Sequence, residues 1–483
     1  MRLKSAGFTL RPSSLVCILA ASLILGVAGY NQQKPPKSSN KPKPQKLSSY
    51  VVLVSIDGLQ PDYIINPDAY KLRIPNLRSM RVMGAYAQGV ESVYPSLSYP
   101  AHATIATGML PADHGILSDH LFDEASGTES REWHWFAREI KTDTIWEAAR
   151  REGLITAAIG YPVTIGANIN FNLPEFTEED SLAGQPQFRH YINPPGLLDE
   201  LFSAIKVDLS VTAHLAHTVP DAEAQDQAKL AAASHFIEKY RPHLLLLHLA
   251  SFDMAQHKHG PLSREALGVL EHIDEGLKRL TDAAERSEFY RETTFFIISC
   301  YGSSRVEREF RPNVVLGKKG LLTADADGKV VSWRAAAQAL GGSAAILIKD
   351  PQDEKSAKEA EEAFRQIYEK PDSPIWRIVS RREASQLGAN PRAAFYLDAA
   401  PTYCMSSRTR GDTVSKSANR SAHGYLPQRS EMRASLIAVG QGIKPGRRVE
   451  YARLIDIAPT IARLLGLEIR SSRGRVISEV INQ

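Results

Sequence analysis

Short, largely apolar runs recur along the chain in the stretches 50–58, 154–162, 243–261 and 293–304, with their apolar residues at 50–56, 154–159, 244–249 and 293–298. Runs of this length, bounded by Gly or polar residues, predict strands that are buried on both faces, as in a parallel sheet. Helical patterns separate them, most clearly at residues 222–240. The alternation predicts an α/β fold with a mostly parallel central sheet flanked by helices.

A second α/β pattern follows the last of these runs. GGSAAILIKD predicts a strand, and SAKEAEEAFRQIYEK predicts an amphipathic helix in which Ser356 and Glu359 have the spacing of a capping box. We therefore predict a smaller inserted α/β subdomain. The resulting divisions are a core at 50–304 and 396–470, an inserted subdomain at 305–395, and a C-terminal tail at 471–483.

The first 29 residues have the pattern of an export signal. Basic residues precede an apolar run at 15–29, which ends in small residues. Because the run is shorter than the roughly 20 residues of a spanning helix, cleavage is favoured over a retained N-terminal membrane anchor. Residues 30–49 are rich in Lys, Pro and Ser and predict a solvated linker. The protein is therefore predicted to be exported to a periplasmic or extracellular location.

Composition narrows the function classes. The chain has 483 residues, 43% of them hydrophobic, which is enough for a large buried core. Its net charge of +4 comes from the leader and linker, because residues 1–48 contain eight Lys and Arg and no acid. The remaining 50 basic and 54 acidic residues give a mildly acidic body. No nucleic-acid-binding footprint is indicated.

Cysteine usage excludes a disulfide framework. Of the three cysteines, Cys17 lies in the leader, which leaves Cys300 and Cys404 for the mature protein. A single bridge between these two remains an open alternative in an oxidising compartment.

The stretch VYPSLSYPAHATIATGMLPADHGI, residues 93–116, holds the candidate nucleophile, Ser98. A hydroxyl is a weak nucleophile at neutral pH, so it requires an adjacent base or a coordinated cation. The alternative is that Ser98 only caps a helix beginning near Ala101. A candidate partner is Asp57, which follows the run at 50–56 at the sheet edge where ligands bind in open α/β folds.

A second set of polar residues follows the run at 244–249. Asp253 and His257 are spaced i, i+4, so on a helix they share one face and can bind a single Zn²⁺. His248 and His259 have no comparable spacing, and we interpret them as structural or solvent-exposed.

These motifs resemble the alkaline-phosphatase superfamily, specifically its nucleotide pyrophosphatase/phosphodiesterase branch. The resemblance extends from Tyr50 to Ile469 with the motifs in family order. It implies that Ser98 is the nucleophile, that Asp57 binds the same metal ion as Ser98, and that His423 joins Asp253 and His257 around a second ion. The positions that carry the nucleophile motif are Ser98, Thr107, Gly108, Pro111, His114 and Gly115.

The sequence departs from the family after the run at 293–298. Cys300-Tyr301-Gly302 stands where the family has Asp-His-Gly, so two ligands of the ion beside Ser98 are absent. Cys300 can supply a thiolate to Zn²⁺, whereas a phenol titrating near 10 makes Tyr301 a poor ligand. Either Cys300 partly restores the site, or one ion and another base suffice, or ligands bind without turnover.

The sulfatase branch of the superfamily fits less well. Its modified nucleophile lies in a C/S-x-P-x-R context, whereas Pro100 is followed here by Ala101 and His102. The resemblance therefore implies a hydrolase of phosphoric diesters or nucleotide pyrophosphates that uses one or two divalent ions, expected to be Zn²⁺, and a small nucleotide-like substrate. The alternative function is a pseudoenzyme that binds phosphorylated or anionic ligands through one metal site.

Overall fold

The computed structural model describes residues 45–176, 188–206 and 222–482. The predicted leader and most of the predicted linker lie outside the described residues. Strands and helices alternate through the first part of the chain. They are, in order, β1 (Tyr50–Ile56), α1 (Pro61–Ile65), α2 (Pro75–Met83), β2 (Ala85–Ala87), β3 (Val90–Glu91), α3 (Ser98–Thr107), α4 (Pro111–His114), β4 (His120–Asp123), β5 (Thr128–Trp133), α5 (Ile145–Arg151), β6 (Thr156–Ile159), β7 (Phe171–Leu173), α6 (Phe188–Tyr191), α7 (Leu197–Ile205), α8 (Ala222–Tyr240), β8 (Leu244–Leu249), α9 (Ser251–His259), α10 (Arg264–Arg286) and β9 (Thr293–Ile298).

The second part of the chain is richer in strands. Its elements are β10 (Ser304–Phe310), α11 (Pro312–Lys318), β11 (Leu322–Ala324), β12 (Val330–Trp333), β13 (Ala335–Leu340), β14 (Ser343–Ile348), α12 (Glu354–Tyr368), β15 (Ile375–Ser380), α13 (Arg381–Gln386), β16 (Ala393–Ala399), β17 (Thr402–Met405), β18 (Val414–Lys416), β19 (Ser421–Ala422), β20 (Leu436–Gly440), β21 (Arg447–Val449), β22 (Ala452–Arg453) and α14 (Ile457–Leu465).

The main sheet has eight strands in the order β21-β2-β20-β9-β1-β8-β6-β7. The four apolar runs of the sequence form β1, β6, β8 and β9, and these strands pair in parallel. β20 is antiparallel to β9 and to β2. The prediction of a mostly parallel central sheet is confirmed.

Alternation along β1 shows how the sheet is buried. Val52, Val54 and Ile56 face a core that includes helices α8 and α10. Val51 and Leu53 face a second core that includes α3, α5 and α14. Because both faces are covered by helices, the strand needs apolar residues at successive positions rather than at every second one.

Residues 305–395 contain most of a second, antiparallel sheet of order β13-β14-β16-β15. A third core packs this sheet against α12, and it also contains Tyr94 and Leu97 from the segment before α3. The turn that precedes Ser98 is thus held by the second half of the chain. The predicted domain boundaries themselves remain a prediction.

One local prediction, the capping box at Ser356, is wrong. Helix α12 begins at Glu354 and is capped by Asp353, which accepts a hydrogen bond from the backbone N–H of Ser356, so no capping box starts at Ser356. Asp353 is the better cap because its carboxylate lies one residue before the first helical position.

Among the described residues, none of the helices is both long enough and apolar enough to cross a membrane.

Candidate metal centre and nucleophile

The polar residues of the site lie at the carboxyl ends of three adjacent strands. Ile56 of β1 pairs with Leu249 of β8, and Ser55 pairs with Ile298 of β9. The residues that follow these strands therefore meet at one edge of the sheet. Asp57, the start of α9 and Cys300 come together in this way.

Ser98 is the first residue of α3, so the helix begins three residues earlier than the sequence indicated. Its hydroxyl does not cap the helix. Ser98 Oγ instead donates a hydrogen bond of 2.8 Å to Oδ2 of Asp57. The capping alternative for Ser98 is therefore not what the structure shows.

The turn before Ser98 connects the nucleophile to the last metal motif. Ser96 Oγ donates to the carbonyl oxygens of Val93, at 3.0 Å, and of Tyr425, at 3.1 Å. The carbonyl oxygen of Ser96 in turn lies 3.0 Å from Nδ1 of His423. Residues that are far apart in the sequence are thus positioned by one short turn.

Asp253, His257 and His423 form the first candidate metal cluster, with one potential ligand atom from each within 4.8 Å of the others. Asp253 Oδ2 lies 3.1 Å from Nε2 of His257 and 3.6 Å from Nε2 of His423. Asp253 Oδ1 is buried without a hydrogen-bond partner among the described residues. Nδ1 of His257 lies 2.8 Å from the carbonyl oxygen of Ser421. The sequence predicted this grouping, and the structure brings all three residues together.

Electrostatics favour an ionised Asp253 in this cluster. Burial raises the pKa of the Asp253 carboxyl, but His257 and His423 lower it by more. The net result is a pKa below the ordinary value. Burial lowers the pKa of His423, which favours the neutral form of its ring. One carboxylate and two imidazoles are the donor set that Zn²⁺ takes in catalytic sites.

Asp57 is surrounded by groups that donate to or pair with its carboxylate. Besides Ser98, the Cys300 thiol donates to Oδ1 at 2.6 Å and the Tyr301 hydroxyl to Oδ2 at 3.1 Å. His248 Nε2 lies 3.1 Å from Oδ2. Burial raises the pKa of Asp57, but His248 and His102 lower it well below its ordinary range. Asp57 is therefore a firmly ionised carboxylate.

Cys300 is fully buried, and neither it nor Cys404 is in a disulfide, so the alternative of a bridge between them is excluded by the structure. Burial and the neighbouring Asp57 raise the pKa of the Cys300 thiol well above its ordinary value. The Tyr301 ring stacks on His423 with centroids 3.9 Å apart while its hydroxyl reaches Asp57. Tyr301 thus connects the two sides of the site. A metal-ligand role for Cys300 remains a prediction.

The structure contains a second cluster that was not predicted from the sequence. Asp57, His102 and His248 are all buried and also place potential ligand atoms within 4.8 Å of one another. One signal for His248 was present, because it is the single polar residue in the leucine run of β8. His102 lies four residues after Ser98 on α3 and therefore shares its face of the helix.

The whole of the first cluster and two members of the second, Asp57 and His248, line a cavity of about 260 Å³. Its lining also includes Ser98, Asp119, Glu129 and Trp133. Burial, with the nearby Asp57 carboxylate, raises the pKa of Asp119 to about 7, against the hydrogen bond from the Tyr99 backbone. Burial and Asp119 raise the pKa of Glu129 to about 8. A larger cavity of about 840 Å³ is lined by other residues and holds neither cluster.

A protein-family model described as Type I phosphodiesterase / nucleotide pyrophosphatase matches residues 51–426. The chain belongs to this family. The matched range contains both candidate clusters and Ser98. The resemblance inferred from the sequence motifs is confirmed.

Curated relatives agree with the family. The chain is 23% identical to venom phosphodiesterase 2 of Crotalus adamanteus over 265 residues and 22% identical to human ectonucleotide pyrophosphatase/phosphodiesterase family member 1 over 278 residues. These matches cover 53% and 56% of this chain, and the chain spans only about a quarter of those relatives, 27% and 25%. Mouse family member 7 is 22% identical over 94% of this chain and 88% of its own length.

Solved structures of ectonucleotide pyrophosphatase/phosphodiesterase 5 share the fold. The mouse protein has a TM-score of 0.61 at 18% identity, covering 89% of this chain and 100% of its own. The human protein has a TM-score of 0.62 at 19% identity, covering 90% and 100%. An inactive form of the mouse protein was solved in complex with AMP.

Proposed function

We propose that this protein is an exported, metal-dependent hydrolase of phosphoric diesters or nucleotide pyrophosphates in which Ser98 is the nucleophile. One observation carries the proposal: Ser98 Oγ, bonded to the ionised Asp57, lines the same cavity as the Asp253, His257 and His423 cluster. Family membership supports the reaction class.

The residues of the first cluster fit a divalent ion. The buried Asp253 Oδ1 has no hydrogen-bond partner among the described residues, and the two imidazoles approach the other carboxylate oxygen. Zn²⁺ is the expected ion for one carboxylate and two imidazoles, which leave a position open for a phosphoryl oxygen. When bound, such an ion polarises the phosphoryl group and stabilises the negative charge that develops on it.

The protein side of the reaction starts from the Ser98–Asp57 hydrogen bond. Asp57 Oδ2 accepts a hydrogen bond from the Ser98 hydroxyl and so orients Oγ, which lines the cavity. A bond forms between Ser98 Oγ and phosphorus as the bond to the leaving oxygen breaks, and the hydroxyl proton passes through solvent to the leaving oxygen. Water then attacks the same phosphorus and the bond to Ser98 breaks. One proton of that water passes to the departing Ser98 oxygen, which restores the free hydroxyl.

Two carboxyl groups in the cavity favour diesters over monoesters. Asp119 and Glu129 line the site with Ser98. A phosphomonoester carries close to two negative charges near neutral pH and a diester only one. Repulsion by Asp119 and Glu129, which grows as their carboxyl groups ionise around pH 7 and 8, therefore falls harder on the monoester. The complex of a mouse relative with AMP supports a nucleotide-like substrate.

Export is supported by the leader pattern and by relatives whose names describe a venom enzyme and ectoenzymes. It can be tested by sequencing the N-terminus of the mature protein from an expressing cell. A start after residue 29 supports cleavage of the leader. An intact N-terminus in the membrane fraction supports the anchor.

The nucleophile is tested with purified protein, Zn²⁺ and an aryl phosphodiester. Ser98→Ala should lower kcat by ~10³-fold or more, because it removes the proposed attacking oxygen. Ser98→Thr retains a hydroxyl and should keep measurable activity, and the exposed Ser203→Ala is the matched control. Equal rates for wild type and Ser98→Ala would rule out this mechanism. Binding of phosphate esters without turnover in any variant would favour the pseudoenzyme.

A further inference from the structure

The two histidines beside Asp57 have tautomers that their surroundings define. His102 Nδ1 lies 2.8 Å from the carbonyl oxygen of Ser98, an atom that only accepts, so Nδ1 carries the proton. The His102 Nε2 lone pair is therefore free to accept, and at present it faces Ser55 Oγ at 2.9 Å. Burial and His248 lower the pKa of His102 to about 4, so this ring is neutral.

The tautomer of His248 is also defined by its surroundings. Its Nδ1 lies 2.9 Å from Oε2 of Glu175 and 3.1 Å from the carbonyl oxygen of Gly160. Both partners are acceptors, so Nδ1 carries a proton here as well. Nε2 then points at Asp57 and makes no hydrogen bond among the described residues, although it lies 3.1 Å from Oδ2. A carboxylate behind a histidine whose other nitrogen faces a second carboxylate is the usual arrangement around a bound metal ion.

The first cluster provides an internal comparison. His257 and His423 also direct Nδ1 at carbonyl oxygens, those of Ser421 and Ser96, at 2.8 and 3.0 Å. In His248, His257 and His423, Nε2 is thus the nitrogen that faces a carboxylate, at 3.1 to 3.6 Å. His102 Nε2 faces Ser55 Oγ and lies 3.9 Å from the Asp57 carboxylate. In both clusters, each histidine thus directs Nδ1 at an oxygen acceptor outside the cluster, although the clusters share no residue.

The distances suit a metal ion. Two ligands that are each 2.0–2.1 Å from a tetrahedral Zn²⁺ are roughly 3.3 Å apart. His248 Nε2 and Asp57 Oδ2 are 3.1 Å apart, as are the corresponding His257 and Asp253 atoms. His102 Nε2 lies 3.9 Å from Oδ1 of Asp57, which is within reach after a small movement of the carboxylate.

We propose that Asp57, His102 and His248 form a relocated second metal site, adjoining Ser98, which replaces the ligands lost at Cys300 and Tyr301. The ligands that the family has at positions 300 and 301 belong to the segment after β9, on one side of Asp57. The proposed replacements, His248 and His102, come from β8 and α3, on the other side of Asp57. This deepens the proposed function, because an ion here lies against the nucleophile, but the binding itself is tested independently of activity.

A competing arrangement uses the same contacts. Burial lowers the pKa of His248, but Asp57 and Glu175 raise it to about 10, so His248 without an ion is an imidazolium. That cation takes the place of a second ion electrostatically, and the protein then binds only one. The stoichiometry of bound metal separates the two arrangements.

The test is the zinc content of chelator-stripped, folded protein after equilibration with Zn²⁺. Wild type should bind about two ions per chain, and both His248→Ala and His257→Ala should bind about one. Cys300→Ala should still bind two, and the Co²⁺-substituted protein should lack a sulfur-to-metal charge-transfer band. One ion in wild type, an unchanged count in His248→Ala, or a lost ion and a sulfur band that depend on Cys300 would each overturn the proposal.

Glu175→Gln provides a measurement that needs no ligand to be removed. Loss of the carboxylate behind His248 should weaken the second zinc affinity ~10- to 100-fold and leave the first unchanged. Equal weakening of both affinities, or of neither, contradicts the proposal even if His248→Ala fails to fold. Absence of turnover would count against the proposed function alone, because these measurements do not depend on catalysis.

Discussion

His257 Nε2 lies 3.1 Å from Oδ2 of Asp253, one helical turn earlier on α9. This pair supplies two of the three residues of the first cluster from a single helix, and His423 completes the cluster from the segment after β19. The first prediction concerns this pair.

His257→Ala should remove one bound zinc ion and lower kcat/KM for an aryl phosphodiester by ~10²-fold or more, because an ion stabilises transition-state charge by several kcal/mol. His259→Ala is the matched control, since His259 is exposed on the same helix and belongs to neither cluster. Metal analysis and initial rates check both variants. Unchanged zinc content in His257→Ala would contradict the ligand assignment.

Cys300→Asp should destabilise the chelator-treated protein by roughly 2–5 kcal/mol, because it buries a second carboxylate beside Asp57. Added Zn²⁺ should recover much of this loss, since a cation relieves the repulsion. Cys300→Ser is the control because its hydroxyl can still donate to Asp57. Urea unfolding with and without zinc measures the effect, and equal stability of the two variants without zinc would be evidence against it.

Lys229 is a buried cation behind the site. Its Nζ lies 3.2 Å from Oδ1 of Asp226 and from the carbonyl oxygen of His248, and Asp226 Oδ2 accepts from the backbone N–H of Ser251 at the start of α9. Lys229→Met should lower the free energy of unfolding by ~3–5 kcal/mol, because it leaves the Asp226 carboxylate buried without its cation. Urea denaturation measures the change.

The double variant Lys229→Met/Asp226→Asn is the control for this prediction. It removes the unpaired charge while keeping an oxygen for the Ser251 N–H, so it should be more stable than Lys229→Met alone. If the double variant is the less stable of the two, charge burial is not the cause.

The raised pKa of Glu129 predicts that the free energy of unfolding depends on pH. Its pKa is raised by burial and Asp119 to about 8, so the folded protein holds this proton where the unfolded chain has released it. The stabilisation is complete below the ordinary pKa and is lost as pH rises towards 8. In chelator-treated protein, Glu129→Gln should flatten the fall in unfolding free energy between about pH 4.5 and 8. Glu132→Gln, at an exposed position on the same strand, should leave the slope unchanged.

Local sequence was sufficient for several parts of the molecule. The stretch 50–58 predicted a buried strand, because successive apolar residues are typical of a sheet covered on both faces. The structure confirms the strand as Tyr50–Ile56, and Asp57 and Gly58 follow it. Helix α8 begins and ends where its pattern indicated, at Ala222 and Tyr240. The pairing of Asp253 with His257 also followed from spacing, since i and i+4 share a helical face.

The surroundings of Asp57 were decided by the tertiary structure alone. His248 appeared structural in the sequence, because a single histidine in a leucine run does not reveal that Glu175 lies behind it and Asp57 in front. Likewise, the family resemblance implied that Cys300 stands at the position of a ligand but did not reveal that its thiol would donate to Asp57. Hydrophobic periodicity encodes which face of an element is buried, whereas contacts between side chains depend on strand order and register, which arise only when distant segments pack together.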